Sequence, residues 1–255
     1  MTELVEAYLE RVAYHERPQV DLATLRALHR AHLLAIPFEN LDIVRGVPFG
    51  IEEADIIDKL VTRRRGGFCY EQNGLFALVL EKIGFTVFRM AASMGTSEVP
   101  TPPLDHLCLR VEIEGRSYLA DVGSGASFVD PLAMDSADAQ VSAGIAYRVR
   151  PVRDELWHCE YQVGEDWQLK YAFTLEDRPL SDFVSGCVYQ QTSPDSHFTQ
   201  RRVCSRATFE DGVWGRISLS DAKLVITQGS DKQEIPIESD AQFWQWVERY
   251  FGMRF

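Results

Sequence analysis

The hydrophobic period of the chain changes once, near Phe85, and that change sets the fold class. Before it, apolar residues recur at helical spacing: Leu4, Val5, Tyr8, Leu9 and Val12 form a first stripe, with Thr2 available as N-cap. Leu22, Leu25, Leu28, His32 and Ile36 form a second, beginning at Asp21 and stopped by Pro37. Ile56, Ile57, Leu60 and Val61 form a third, and a fourth opens near Cys69 and runs through Leu75, Phe76, Val79, Leu80 and Ile83 to Gly84, a natural left-handed cap. After Phe85 the period is two. In "HLCLRVEIEG", Leu107, Leu109, Val111 and Ile113 share one face, while His106, Cys108, Arg110 and Glu112 share the other. Strand pairs follow that turn at Gly164 to Asp166, near Asp221 and near Ser230, and "DAQFWQWVERYFG" closes the chain as an amphipathic helix. The pattern predicts an α+β protein with helices over 1–84, a β-rich part over 85–190 and a mixed α/β part over 191–255, without the strand and helix alternation of a doubly wound sheet.

Composition narrows what such a chain does. Its 255 residues are 45% apolar, enough for a sizeable core, and no apolar run approaches the roughly 20 residues that span a bilayer. The N-terminal "MTELVEAYLERV" is acidic and amphipathic rather than a leader, so a soluble, cytoplasmic protein is expected. Five scattered cysteines without a CxxC pair fit free thiols, neither a disulfide framework nor a metal cage. A net charge of −12 argues against nucleic acid and leaves a small molecule as the expected partner. The basic run Arg63 to Arg65 reads either as cations at a helix C-terminus or as an attractor for an anionic cofactor.

Cys69 stands at the mouth of the fourth helix, after two glycines and Phe68, in "RRRGGFCYEQNGLF". Helix N-termini favour thiolates, and glycines permit close backbone approach, so Cys69 is a candidate nucleophile as well as a candidate core thiol. A nucleophilic thiol needs a base, and the base an orienting carboxylate. If Glu114 and Gly115 form a two-residue turn, Ile113 pairs with Arg116, Cys108 falls opposite Asp121 and His106 opposite Gly123. His106 and Asp121 are then diagonal neighbours on one face, about 7–8 Å apart at the backbone. A slip of one residue would separate them. His29 and His32 lie three apart on a helix, but nothing nearby completes a zinc set, and no metal is expected. Cys108, Cys159, Cys187 and Cys204 read as packing residues.

Five ordered blocks, "LHRAHLLAIPFENLDI" at 28–43, "RRRGGFCYEQNGLF" at 63–76, "DHLCLRV" at 105–111, "ADVGSG" at 120–125 and "SPDSHF" at 193–198, resemble the arylamine N-acetyltransferase family. The resemblance implies a helical bundle carrying the nucleophile, a central β-barrel-like domain and a C-terminal α/β lid around a cysteine-proteinase-like core. It implies a Cys69, His106 and Asp121 triad and ping-pong transfer of an acetyl group from acetyl-coenzyme A, through a Cys69 thioester, to arylamines, arylhydrazines or N-hydroxyarylamines. It places Phe38, Phe68 and Phe198 at the acceptor site. Where the family usually has phenylalanine after the aspartate, this chain has Ser124, which predicts a roomier, more polar pocket. The proline-rich "TSEVPTPPLDH" offers no glycine cradle for coenzyme A phosphates. A related amide synthase, a thiol hydrolase with the same triad, and a binding protein without turnover are the alternatives, and a monomer or weak homodimer is expected.

Overall fold

A computed structural model describes residues 2–94 and 104–255, so most of the proline-rich segment before His106 lies outside the described residues. Helices α1 (Glu3–Arg11), α2 (Leu22–Ala35), α3 (Leu41–Val44), α4 (Glu53–Ile57) and α5 (Cys69–Ile83) make the N-terminal part. Asp21 caps α2 by accepting from the Thr24 N–H, whereas Thr2 makes no side-chain cap on α1. Helix α4 runs into a widened turn over Asp58–Thr62, closed by the Arg63 N–H on the Asp58 carbonyl at 2.8 Å. That extra residue per turn rotates Lys59 into the interior. Helix α5 ends at Gly84 with φ 118°, as a glycine cap requires.

The first sheet has eight antiparallel strands: β2 (Thr86–Met94), β3 (His106–Ile113), β4 (Arg116–Ala120), β5 (Leu132–Ala133), β6 (Gln140–Ser142), β7 (Ile145–Arg153), β8 (Leu156–Val163) and β9 (Asp166–Asp177). Their order is β5-β4-β3-β2-β9-β8-β7-β6, and the sheet curls until β5, at one edge, approaches β7, near the other. The second sheet joins β1 (Phe38–Glu39) to β10 (Val203–Glu210), β11 (Val213–Ser220), β12 (Lys223–Gln228) and β13 (Asp231–Pro236). Helices α6 (Val184–Thr192) and α7 (His197–Gln200) connect the sheets, and α8 (Asp240–Phe251) covers the second. Strand β1 was not foreseen. It draws Phe38 out of the helical part and seats it opposite Ser205.

The β3–β4 hairpin has the predicted register, with Ile113 opposite Arg116 and Leu109 opposite Ala120. Glu114 and Gly115 have φ of 51° and 77°, the two positive values that a type I′ turn demands. The inward face of β3 packs on α5 through Leu107, Leu109 and Val111. The fourth helix and the open end of the hairpin therefore meet.

Candidate active site

Helix α5 begins at Cys69 because Phe68 is extended and Glu71, three residues on, accepts the Phe68 N–H at 3.1 Å. Phe68 has no side-chain acceptor, so only this half of a capping box forms. The paired glycines answer a packing demand. A Cβ on Gly66 would lie 2.2 Å from the Pro37 carbonyl oxygen, and one on Gly67 would lie 2.7 Å from a Glu71 oxygen. Beneath them runs a chain of buried ion pairs. Arg65 contacts Glu39 at 2.7 Å and Asp42 at 3.1 Å, and Lys59 contacts Asp42 at 3.4 Å and Glu71 at 2.8 Å. Arg65 thus serves neither of the roles predicted for the basic run; it is an internal strut, with the Phe255 ring stacked 3.7 Å from its guanidinium.

The structure brings Cys69, His106 and Asp121 together, all buried. His106 Nε2 donates to Asp121 Oδ2 at 3.0 Å, which fixes the tautomer and leaves Nδ1 for other chemistry. The β4–β5 loop lies on Cys69 itself: a Cβ on Gly123 would be 2.8 Å from the Cys69 Cα. The remaining Asp121 oxygen, Oδ1, accepts from Asn73 Nδ2 at 2.9 Å and from the Gly123 N–H at 2.9 Å. Asn73 stands one turn after Cys69; its Nδ2 also reaches the Leu107 carbonyl at 2.6 Å, and its Oδ1 accepts the Val122 N–H at 2.9 Å. One amide thereby registers the helix against both strands of the hairpin. His29 adds a second prop, donating from Nδ1 to the Val129 carbonyl at 3.0 Å and accepting the Asp121 N–H on Nε2 at 3.2 Å.

Electrostatics sort these groups. Burial pushes Asp121 up, but His106, the hydrogen bonds from His106 and Asn73, and the charge of Lys170 hold it well below the usual carboxylate range. Burial pushes the Cys69 thiol well up, with Asp105 adding to the effect and a hydrogen bond from the Leu107 backbone opposing it. The helix mouth favours the thiolate and burial opposes it, so the proton needs an acceptor. Burial holds His29 down to about 4 and His32 to about 3, so both stay neutral. His32 bonds Tyr8 and Gln72, at 3.0 and 2.6 Å. Among the described residues, no group of three or more His, Cys, Asp or Glu could hold a metal ion.

The predicted aromatic residues also converge. The Phe198 ring lies 6.0 Å from Phe38 and 5.7 Å from Phe68, and Phe68 is 5.1 Å from Tyr70. Asn40, unforeseen from sequence, holds this cluster by donating to the carbonyls of Phe198 and Arg201 at 2.8 and 2.7 Å and accepting the Val203 N–H. Ser124 is half-buried, its hydroxyl turned to the Ala126 carbonyl at 3.3 Å. A Cβ on Gly125 would lie 3.4 Å from the Phe38 ring. The other four cysteines are buried packing residues, as predicted.

Comparison with known proteins agrees with this geometry. A family model described as N-acetyltransferase matches residues 21–255. An arylamine N-acetyltransferase of Mycolicibacterium smegmatis is 35% identical over 253 residues, covering 96% of this chain and 90% of that one. The solved arylamine N-acetyltransferase from Salmonella typhimurium superposes with a TM-score of 0.92 at 30% identity, over 99% of this chain and 92% of that one. That of Mycobacterium marinum in complex with CoA superposes with a TM-score of 0.87 at 33% identity, over 98% and 92%. Among the described residues no helix is long and apolar enough to cross a membrane. With the fold, the hairpin register and the full-length similarity in agreement, the chain belongs to the arylamine N-acetyltransferase family of acyltransferases.

Proposed function

We propose that the chain transfers an acetyl group from acetyl-coenzyme A to the nitrogen of an arylamine, arylhydrazine or N-hydroxyarylamine by a ping-pong route through Cys69. The observation that carries this reading is the 3.0 Å bond from His106 Nε2 to Asp121 Oδ2, made where the β4–β5 loop rests on Cys69. With Nε2 committed to the carboxylate, Nδ1 takes the proton of the Cys69 thiol, and the imidazolium so formed is stabilised by Asp121. The sulfur attacks the thioester carbonyl; its bond to coenzyme A breaks, and the leaving sulfur takes the proton back from His106. The amine nitrogen then attacks the acetyl-thioenzyme, His106 accepts the proton it sheds, and the Cys69 sulfur leaves with that proton as the amide departs. The coenzyme A complex of the Mycobacterium marinum relative supports coenzyme A as the carrier of the donor group.

Phe38, Phe68 and Phe198 would wall the acceptor ring, and Ser124 would leave room beside it. The test is intact-protein mass after brief incubation with acetyl-coenzyme A, beside Cys69→Ala. One acetyl group gained by wild type, absent in the variant and discharged by an arylamine is the expected result. An adduct that decays equally fast without amine would make the chain a thiol hydrolase.

A further inference from the structure

One amide outside the triad sits between the reacting centre and the aromatic cluster. Gln190, buried on α6, donates from Nε2 to Asp105 Oδ1 at 3.2 Å and accepts on Oε1 from the Ser196 hydroxyl. Both ends bear on the site. Asp105 directly precedes His106, and Cys69 Sγ lies 4.0 Å from its carbonyl oxygen. Its other carboxylate oxygen, Oδ2, accepts the Met94 N–H at 3.1 Å. Ser196 Oγ accepts the Phe198 N–H at 3.1 Å, and the Phe198 ring lies 5.7 Å from that of Phe68, the residue before Cys69. The contacts therefore leave Cys69 through Asp105, pass along Gln190 and Ser196, and return to it through Phe198 and Phe68. Burial pushes the Asp105 carboxyl up, against the Met94 N–H and the charges of His106 and His197. Its charge in turn adds to the effect of burial on the Cys69 thiol, so where this carboxylate is held matters to the sulfur.

We propose that Gln190 is a positioning residue for acetyl transfer, which through Asp105 holds the strand of His106 beside Cys69 and through Ser196 holds the Phe198 wall at a fixed distance from that thiol. The proposal rests on the acetyl-transfer reading above. Three features carry it. The first is the chemistry of the side chain. The Asp105 carboxylate takes a donor, and Ser196 Oγ, already accepting from Phe198, needs an acceptor for its own proton. An amide supplies one of each, whereas a carboxylate of the same length only accepts and a thioether does little of either. The second is the close seat of α6. One turn before Gln190, a Cβ on Gly186 would lie 2.9 Å from the Leu104 carbonyl oxygen and 2.7 Å from the Tyr70 hydroxyl, which donates to that carbonyl at 2.6 Å. Successive turns of α6 thus meet Leu104 and Asp105, and these two residues meet Tyr70 and Cys69 on their other side. The third is burial. Gln190 and Ser196 are both buried, so a lost partner is not replaced by water at little cost.

The test exchanges the two ends of one hydrogen bond. In Gln190→Glu two carboxylates meet at the 3.2 Å contact. In the pair Asp105→Asn with Gln190→Glu, the asparagine amide donates to the new carboxylate, which still accepts from Ser196. With acetyl-coenzyme A and 4-methoxyaniline, Gln190→Glu should raise the KM of the amine and lower kcat/KM by about tenfold or more. The pair should return to within about threefold of wild type and outdo either single variant. Gln190→Met, of similar length and uncharged, removes both hydrogen bonds without adding a buried charge and should also raise the amine KM by about tenfold. Partial unfolding lowers the amount of active enzyme and leaves KM alone, so it does not imitate a KM rise that a second substitution reverses. An amine KM within twofold of wild type in Gln190→Met, or a pair no better than its singles, overturns the proposal. Calorimetric titration of 4-methoxyaniline without donor separates it from the reading it rests on. Binding weakened in Gln190→Glu and restored in the pair upholds the positioning role even if Cys69 is never acetylated. Equal binding in all three proteins sinks it even where acetylation proceeds.

Discussion

Two groups of buried charge flank the triad, and they differ in what satisfies them. Below Cys69, Arg65 and Lys59 each touch two carboxylates, and Glu39, Arg65, Asp42, Lys59 and Glu71 form one continuous chain of ion pairs. Beside Asp121, the hydrogen-bond partners of Lys170 and Arg216 among the described residues are carbonyls and a hydroxyl. The first arrangement holds the "IPFEN" turn against the helix mouth. The second ties the loop at Gly125 and Ala126 to both sheets, through Lys170 of β9 and Arg216 of β11.

The contrast is broken most severely by removing one member of the ion-paired set. Arg65→Met strands Glu39 in the interior, leaves Asp42 to Lys59 and Arg45, and should cost about 3–5 kcal/mol of unfolding free energy in urea. A loss below about 1 kcal/mol would mean that the set is not a unit. Asp121 stands where the two regions meet, and Asn73→Ala cuts its link to the nucleophile helix. Acetyl transfer should fall by about 100-fold in kcat/KM through misplacement of His106, as steady-state rates would reveal. Acid probes the ion-paired side as a whole. His29 and His32, lowered to about 4 and 3, contribute stability that is complete above their unfolded value near 6.5 and lost as pH falls. Glu71, raised by burial to about 6, works the other way: its contribution is present below about 4.5 and lost as pH rises through 6. The two histidines outweigh the one carboxyl, so urea unfolding should show about 2 kcal/mol less stability at pH 5 than at pH 7. A flat or opposite profile would mean that the imidazoles charge in the folded state. The smallest effect sharpens the comparison most. Lys170→Met removes a cation with no ion-pair partner among the described residues and should change unfolding free energy by less than about 1 kcal/mol, so a loss approaching that of Arg65→Met would erase the distinction.

Local chemistry made much of this legible in advance. Period alone marked α5 and the β3–β4 hairpin, and the Glu114–Gly115 turn fixed a register from which the His106 and Asp121 pairing followed. What escaped was set by partners distant in sequence. Asp121 leans on His29, 92 residues away, and nothing in the period of α2 distinguishes that imidazole from a core side chain. Phe38–Glu39 is too short to announce itself as a strand, and only β10 makes it one. Asn73 was visible within a quoted motif, and its spacing of one helical turn from Cys69 was the available clue to its position over the hairpin. The packing demand on the glycines before Cys69 escaped too, since it is Pro37 and Glu71 that forbid them a side chain. Lys170 and Arg216 lie on separate sheets, and no one-dimensional pattern joins them.

The loop after Asp121 also determines how this enzyme could change over time. At Gly123 any side chain would strike the backbone of the nucleophile and the Asn73 amide, at 2.8 and 2.7 Å, so nearly every variant there is lost with the activity itself. At Ser124, one residue on, the side chain is half-exposed and bonded only within its own loop. Inherited variation is thus barred at one position and admitted at the next, and a lineage or a directed-evolution library can explore new acceptors at 124 while 123 keeps the thiol where it is.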